Sequence, residues 1–186
     1  MQDLYRLPDN LPVPVDDRAC DHLEGMLLPS LLLKTSFDSS VDLSAEKGIV
    51  VIFFYPMTGI PDSPPMVGWN EIPGARGCTP QTCSFRDSYK QLTELGAKVF
   101  GASSQAIEAQ NEAVTRLKLP FGLLNDSAFK LTESLNLPTF NYQGVKMIKR
   151  LTIVAVNGEI RKVFYPVFPP DQNVKHIILW LNEEMI

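Results

Sequence analysis

The stretch IVVIFFY, residues 49–55, is the longest apolar run of the sequence. It consists of β-branched and aromatic residues without polar alternation, a pattern typical of a strand that is buried on both faces. The run is far shorter than the ~20 apolar residues that span a bilayer, so we expect no membrane-spanning segment. It therefore predicts the central strand of a sheet inside a folded domain.

Helices and strands alternate on either side of this strand. Before it, the apolar segments 26–33 and 41–43 flank a turn-like stretch and predict a hairpin. After it, apolar spacing and turn signals predict a helix from near Pro80 to near Gly96, a strand at 97–102, and a helix from Gln105 that Ser103 or Ser104 can cap. A strand at 121–124 and a short helix through 129–135, capped by Asp126, follow. The chain then ends in a hairpin of 151–156 and 159–165 around Asn157-Gly158 and a C-terminal helix opened by Asp171. This order predicts an α/β fold, with a mixed central sheet flanked by helices on both faces.

The composition fits a single domain with an extended N-terminal arm. The 186 residues are ordinary for a globular protein, with 45% hydrophobic and 20% charged residues. The first residues are polar and carry Pro8, Pro12 and Pro14, which favours an arm that lies along a surface. We therefore expect an arm over residues 1–24 and one domain over residues 25–186.

Charge and cysteine content exclude several kinds of partner and compartment. The net charge is −4, from 17 basic and 21 acidic residues without a basic block, so we expect no nucleic acid partner. Three cysteines are too few, and odd in number, for the disulfide framework of a small secreted domain. The N-terminus lacks the charged start and apolar run of a secretory signal. We expect a cytoplasmic protein that enters no membrane, and for the assembly a monomer or a weak homodimer.

The functional signal lies in GARGCTPQTCSFRD, residues 74–87, which ends a glycine- and proline-rich stretch at 57–77, called the Gly/Pro loop below. A loop of this length inside a compact domain is more often functional than decorative. Cys78 falls where the loop meets the predicted helix, and the helix dipole and unpaired N–H groups there favour thiolate over thiol. Because the thiolate is the nucleophile, we interpret Cys78 as reactive rather than as a packed cysteine.

Cys83 follows five residues later. In an intact helix the two Cα atoms would be ~8.6 Å apart, beyond the ~7 Å that a disulfide allows. The two cysteines can bond only if the first helical turn unwinds, which suits a transient catalytic disulfide better than a permanent one. The alternative is that Cys83 is a packed and unreactive residue.

Other cysteine chemistries fit less well. A C-x-x-C motif is absent, which argues against thioredoxin-type disulfide exchange. His22 and His176 have no metal-ligand spacing with Cys78 or Cys83, so we expect no metal and no other cofactor. We interpret Cys20 and His22 as structural and His176 as a surface or partly buried residue.

Together these segments resemble the Q-type peroxiredoxins, also called bacterioferritin comigratory proteins. The similarity runs from about residue 25 to 181 and is carried by FFYP, GCTPQTCSFRD, FGLLND and KRLTIVAVNGEIRKVF. The family implies a thioredoxin-like fold, whose element order matches the predicted one, with an N-terminal β-hairpin extension. It also implies that Cys78 reduces hydrogen peroxide and organic hydroperoxides, that Cys83 resolves the sulfenic acid, and that a thioredoxin- or glutaredoxin-like protein restores the dithiol.

The resemblance also implies roles for two polar residues. Arg150 matches the strand arginine that family members place against the peroxidatic thiolate. A guanidinium there would stabilise the thiolate and donate to the peroxide oxygens as the O–O bond breaks. The alternative for Arg150 is an ordinary surface cation. Gln81 matches the polar position that supports the peroxide pocket.

One part of the family pattern is missing. The family has a proline four residues before a threonine or serine, which itself stands three residues before the peroxidatic cysteine. Glu71 and Ala75 occupy those places here. Pro56 and Thr58 keep the proline and a hydroxyl at the end of the strand, but the Gly/Pro loop separates them from Cys78.

Two replacements for the missing hydroxyl remain open. The loop can fold back and return Thr58 to the pocket, or Arg76, Thr79 and backbone donors can take its place. If neither holds, peroxide is a poor substrate. The sequence then favours an alternative function, a non-enzymatic redox sensor or partner-binding module that uses the cysteine pair as a switch. A thioredoxin-like oxidoreductase for protein disulfides is disfavoured by the missing C-x-x-C.

Overall fold

The apolar run at 49–55 lies in the middle of the largest sheet. The structure is a computed structural model that describes residues 3–63 and 66–184; Pro64 and Pro65 of the Gly/Pro loop and the outermost residues of both termini lie outside the described residues. The strands are β1 Leu32–Lys34, β2 Ser40–Asp42, β3 Ile49–Phe54, β4 Ala97–Ser103, β5 Leu123–Asn125, β6 Thr139–Tyr142, β7 Val145–Ile148, β8 Leu151–Val156 and β9 Glu159–Phe164. The helices are α1 Cys78–Asp87, α2 Tyr89–Glu94, α3 Ile107–Leu117, α4 Lys130–Ser134 and α5 Asn173–Glu184, with 3₁₀ turns at Leu43–Ala45 and Pro170–Gln172.

The central sheet is mixed. Its strand order is β5-β4-β3-β8-β9. β3 pairs parallel with β4 and antiparallel with β8. β1 and β2 pair with each other as a separate antiparallel hairpin. The structure therefore confirms the predicted α/β class, with a mixed sheet and an N-terminal hairpin.

β3 is buried on both faces, as its lack of polar alternation predicts. Its even-numbered residues pack with the β1–β2 hairpin and α4, and its odd-numbered residues pack with α1, α2, α3 and α5. Phe53 and its neighbours in the strand are fully buried. The Phe53 ring stacks on Phe85 of α1 with 4.1 Å between the ring centroids. This stack fixes α1 against the middle of the sheet.

The long helix predicted at 80–96 is two helices. α1 ends at Asp87 and α2 begins at Tyr89, because Ser88 between them leaves the helical region with φ −97° and ψ 4°. The C-terminal helix α5 begins two residues after its predicted opener Asp171, which lies in a 3₁₀ turn. α1 starts earlier than predicted, so Cys78 is its first residue.

Side-chain capping agrees with the sequence at α4 but not at α3. The Asp126 carboxylate accepts hydrogen bonds from two backbone N–H groups of α4 at 3.0 and 2.9 Å. The prediction that Ser103 or Ser104 caps α3 is wrong, because the N-cap is Ala106 and has no side-chain hydrogen bond. The Ser103 hydroxyl donates instead to the Pro56 carbonyl at 2.9 Å, which ties β4 to the end of β3.

β6 and β7 form a hairpin that the sequence analysis did not predict. Its turn consists of Gln143 and Gly144, with φ of 49° and 83°. Two aromatic residues of β6, Phe140 and Tyr142, lie 6.1 and 5.1 Å from Trp69 of the Gly/Pro loop, measured between ring centroids. The hairpin therefore supports the loop that precedes Cys78.

The N-terminal arm is attached to the domain by polar contacts. Asp17 accepts hydrogen bonds from Lys149 Nζ at 2.6 Å and from the Tyr165 hydroxyl at 2.7 Å. These bonds, with that of Lys149 the larger, lower the pKa of Asp17 to about 2. His22 Nε2 donates to the Leu135 carbonyl at 2.9 Å. The arm thus lies against the sheet end where β8 begins and β9 ends.

Candidate active site

Cys78 lies at the base of the Gly/Pro loop and is buried, with 3% of its surface exposed. Gly77 before it is the N-cap of α1 and adopts a left-handed conformation, with φ 109° and ψ 17°. Other residues adopt this conformation only under strain. A Cβ on Gly77 would also collide with the ring of Pro170 and lie 2.8 Å from Leu7 Cδ2. Glycine at 77 therefore lets the chain enter α1 so that Cys78 stands at the positive end of the helix.

The guanidinium of Arg150, at the turn between β7 and β8, contacts the Cys78 sulfur. Its Nη2 donates to Sγ at 3.1 Å. The same nitrogen donates to the carbonyls of Ala75 and Arg76 at 3.0 and 3.3 Å, and Nε donates to that of Gly74 at 3.2 Å. Arg150 is 3% exposed, so little water screens its charge. One guanidinium therefore holds both the sulfur and the end of the Gly/Pro loop.

Buried polar side chains hold Arg150 in this position. Its Nη1 donates to Oε1 of Gln81. Gln81 Nε2 donates to Oδ1 of Asn173 at 3.3 Å, and the same oxygen accepts from the Thr152 hydroxyl at 2.6 Å. All four residues are buried. Rotating the guanidinium away from Cys78 would break hydrogen bonds, and water could not replace them in this buried network.

A pocket of about 210 Å³ opens beside Cys78. Its apolar lining residues come from the arm and the Gly/Pro loop: Leu4, Met57, Ile60, Met66 and Trp69. Its polar lining residues are Asp62, Ser63, Arg76 and Thr79. Arg150 is not among the described residues that line it, and instead faces a second pocket with Pro14, Ile72 and Tyr165. A small molecule that reaches Cys78 through the first pocket therefore meets Arg76 and Thr79 in the pocket wall.

Thr79 lines this pocket, but Thr58 and Gln81 are not among the described residues that do. Thr58 is 2% exposed, and its hydroxyl and N–H both donate to Oε1 of Gln105, at 3.2 and 2.8 Å. The loop thus returns the sequence neighbours of Thr58 to the pocket while its hydroxyl turns to Gln105. Gln81 is fully buried and contacts the guanidinium instead of the pocket. Its side-chain hydrogen bonds go to Arg150 and Asn173.

Arg76 is a buried cation in the pocket wall, with 8% of its surface exposed. Its Nη2 donates to two main-chain carbonyls of the arm, those of Asp3 and, at 3.2 Å, Arg6. Its Nε has no hydrogen-bond partner in the described part of the chain. Burial lowers the pKa of Arg76, while the negative charges of Cys78 and Asp3 raise it. The Cys78 sulfur therefore lies within electrostatic reach of a second guanidinium.

Known proteins with similar sequences identify the family of this site. A family model described as Redoxin matches residues 23–178. The chloroplastic Peroxiredoxin Q of Suaeda salsa is 30% identical over 160 residues, which cover 86% of this chain and 67% of that protein. The corresponding protein of Sedum lineare is also 30% identical over 160 residues, which cover 86% of this chain and 77% of that protein. The chain belongs to the Q-type peroxiredoxins of the redoxin family.

A solved structure shares the fold of this peroxiredoxin. Peroxidoxin BcpB from Mycobacterium tuberculosis superposes with a TM-score of 0.71, covering 87% of this chain and 97% of that chain at 23% identity. The thioredoxin-like fold that the resemblance implies is therefore confirmed. Membership of the family also confirms the enzyme class, a thiol peroxidase and hence an oxidoreductase.

The three cysteines of the peroxiredoxin are free and lie in different surroundings. Cys83 is half-buried in α1, and burial raises the pKa of its thiol. Cys20 is 5% exposed, and burial, reinforced by the charge of Asp17, raises the pKa of its thiol to about 12. Cys20 is therefore a poor nucleophile near neutral pH.

Sequence reasoning missed three residues that shape this site, namely Gln105, Asn173 and Thr152. None stands in a recognisable motif, and each acts on a partner that is distant in the sequence. The available signal was the place of Asn173 at the start of an amphipathic helix, which indicates a cap rather than a link to an active site. Such contacts follow from the tertiary fold and not from local pattern.

Proposed function

We propose that the protein reduces hydrogen peroxide and organic hydroperoxides with Cys78 as the peroxidatic cysteine. The contact that carries the proposal is the 3.1 Å hydrogen bond from Arg150 Nη2 to Cys78 Sγ. Together with the position of Cys78 at the first residue of α1, it favours a thiolate in the wall of an accessible pocket.

The first chemical step is a displacement at oxygen. The Cys78 thiolate attacks one peroxide oxygen, so that an S–O bond forms while the O–O bond breaks. Sulfur is oxidised to the sulfenic acid, and the other oxygen leaves with a proton as water or an alcohol. The arrangement of Gln81 and Arg150 would hold the sulfur in place during the attack, and Thr79 would contact the bound peroxide.

We propose Cys83 as the resolving cysteine. Its sulfur attacks the Cys78 sulfenic acid, a disulfide forms, and the hydroxyl leaves as water. Both cysteines lie in the continuous helix α1, so their Cα atoms must approach from ~8.6 Å to within ~7 Å. Resolution therefore requires local unwinding of α1.

The disulfide must then be reduced by an external dithiol. We propose a thioredoxin- or glutaredoxin-like protein as the reductant, in line with the family, and no metal or other cofactor. The relatives named above are described as chloroplastic. For this chain we retain a cytoplasmic location and a monomer or weak homodimer as proposals. None of the described helices has the length and apolar character needed to cross a membrane.

Peroxide-dependent turnover with a thioredoxin system tests the function. We expect turnover in the wild type and none in Cys78→Ser, because a serine hydroxyl is almost never ionised near neutral pH. Cys83→Ser should allow one oxidation for each chain. Cys20→Ser is the matched control and should turn over like the wild type, because the Cys20 thiol is buried and protonated.

Peptide mapping of the oxidised protein tests the resolving step. We expect a disulfide between Cys78 and Cys83 within one chain, with Cys20 free. Equal turnover in the wild type and in Cys78→Ser would refute the peroxidase mechanism. A disulfide from Cys78 to Cys20, or to a second chain, would show that Cys83 is not the resolving thiol.

A further inference from the structure

Two guanidinium groups lie near Cys78, but they face different spaces. Arg150 directs Nη2 and Nε at the sulfur and at three carbonyls of the Gly/Pro loop, and Nη1 at Gln81. It lines a separate pocket rather than the one beside Cys78. Arg150 is therefore placed to act on the sulfur. The wall of the pocket beside Cys78 offers other donors to an oxygen that leaves into it.

The hydroxyl that the family pattern places three residues before the cysteine is missing here, and Thr58 does not replace it. Ala75 has none, and the Thr58 hydroxyl donates to Gln105. The hydroxyls that do line the pocket, those of Ser63 and Thr79, carry no charge.

Among the described residues that line the pocket, Arg76 is the only cation. Its Nε is unpaired although the residue is 92% buried, the complement of its 8% exposure. Unpaired buried donors are rare in native proteins, so the unused N–H of Arg76 calls for a partner.

The surroundings of Arg76 are unfavourable for a purely structural cation. Burying a charge is costly unless it is paired, and its described hydrogen bonds go to the carbonyls of Asp3 and Arg6 rather than to carboxylates. Charged groups kept in such places cluster at functional sites. The charge of Arg76 is partly compensated by Asp3, and negative charge that appears in the pocket would add to this compensation.

We propose that Arg76 is a catalytic residue that stabilises the leaving oxygen of the hydroperoxide. In this step the Cys78 thiolate bonds to one peroxide oxygen, the O–O bond breaks, and the electron pair passes to the second oxygen. That oxygen is held by the Arg76 guanidinium until a proton from solvent completes water or the alcohol. The proposal rests on the peroxidase function proposed above and assigns the transition-state charge to Arg76 and the thiolate charge to Arg150.

Two single-turnover reactions of Cys78 test the role of Arg76. One is oxidation by hydrogen peroxide or cumene hydroperoxide, and the other is alkylation by iodoacetamide. Arg76→Met should slow oxidation about 100-fold, the effect of losing one oxyanion donor. Alkylation should slow much less, by about tenfold at most, because it loses only the through-space effect of the Arg76 charge on the thiolate and has no peroxide oxygen to hold. Arg161→Met removes an exposed arginine of β9 and should leave both rates unchanged.

The outcomes separate this inference from the proposed function. A wild type that fails to react with peroxide refutes the function itself. A reactive wild type with an Arg76→Met variant that oxidises within threefold of it refutes only the role of Arg76. Equal slowing of oxidation and alkylation also overturns that role, because it would mean that Arg76 acts through the sulfur or the fold. If Arg76→Met does not fold, Arg76→Lys should oxidise faster than Arg76→Gln, and equal or reversed rates overturn the proposal.

Discussion

Arg150 combines an electrostatic role with a structural one. Its side chain is buried, and its donors reach the Cys78 sulfur, three loop carbonyls and Gln81. The planar guanidinium contacts five acceptors at once. A lysine could not make all of these contacts, because its ammonium group is not planar and has fewer donors. Loss of Arg150 should therefore change both the reactivity of Cys78 and the stability of the fold.

We expect Arg150→Met to slow both peroxide oxidation and alkylation of Cys78. Both rates should fall by about tenfold or more, because each reaction needs the Cys78 thiolate and an adjacent cation favours that form. The free energy of unfolding should fall by ~1–3 kcal/mol, because the loop carbonyls lose a buried donor. Stopped-flow oxidation, iodoacetamide labelling and urea unfolding measure the three quantities.

The conservative variant Arg150→Lys is the control for charge. It should recover part of the alkylation rate but less of the stability, because one ammonium cannot reach Gln81 and the loop carbonyls together. Wild-type oxidation and alkylation rates in Arg150→Met would contradict the contact of Arg150 with the sulfur as a source of reactivity.

The two arginines also show what the sequence can and cannot predict about a site. The place of Arg150 beside Cys78 was implied by the resemblance, which aligns KRLTIVAV with a known strand. Arg76 appeared only as one possible donor, because its surroundings depend on the arm. Its partners Asp3 and Arg6 lie about 70 residues earlier, and no local pattern indicates that contact.

At the scale of elements, the entry into α1 depends on Gly77. We expect Gly77→Ala to lower the free energy of unfolding by ~1–3 kcal/mol, since the residue must keep φ at 109° and its Cβ would meet Pro170 and Leu7. Oxidation of Cys78 should slow as well, because α1 would start in a shifted position. Urea unfolding and peroxide kinetics on the same samples provide the measurement.

Gly96→Ala is the matched control for Gly77→Ala. Gly96 also has a positive φ, 79°, but a Cβ there would meet no atom within 4 Å. It should therefore show backbone strain alone and leave the oxidation of Cys78 unchanged. If both variants lose equal stability and both keep wild-type oxidation, the close packing around Gly77 has no role in placing the thiol.

The two hairpins at the C-terminal half show why one was predicted and the other was not. Both turns place their two central residues at positive φ: 51° and 85° for Asn157 and Gly158, and 49° and 83° for Gln143 and Gly144. Asparagine tolerates this region well and makes the turn visible in the sequence. Glutamine is not typical of such turns, so the sequence did not predict the β6–β7 hairpin, although its turn has the same backbone conformation.

At the scale of the whole molecule, the arm is attached through a pH-dependent contact. The pKa of Asp17 is lowered to about 2 by Lys149 and Tyr165. A lowered carboxyl pKa gives stability that is present above the unfolded value near ~3.9 and is lost as pH falls through the folded value. The Asp17 side chain is 46% exposed, so screening limits the contribution to below ~1 kcal/mol.

We therefore expect Asp17→Asn to lower the urea midpoint at neutral pH, with a difference that fades between about pH 4 and pH 2. Unfolding curves of both proteins across this range give the measurement. Asp9→Asn, a change at an exposed carboxyl in the same arm, should show no such difference. A midpoint gap that stays constant down to pH 2 would show that Asp17 stabilises the arm through packing instead of charge.

The sequence predicted an arm that lies along the surface, and it could not predict what the arm touches. Polar and proline-rich residues favour an extended chain. The position of Leu4 in the pocket wall is a long-range contact set by the shape of the Gly/Pro loop. The central strand β3, by contrast, could be predicted, because seven consecutive apolar residues indicate a strand that is buried on both faces.

Trp69 gives this site an optical property. The chain contains two tryptophans, and Trp69 lies in the pocket wall with Cys78, where it is 6% exposed and packs against β6. Trp180 lies on α5, packed against the helical side of the sheet. Indole emission depends on nearby charge and on hydration, so we expect oxidation of Cys78 to change the fluorescence of Trp69. Intrinsic fluorescence should then report the redox state of Cys78 without a dye and without a coupled reductant.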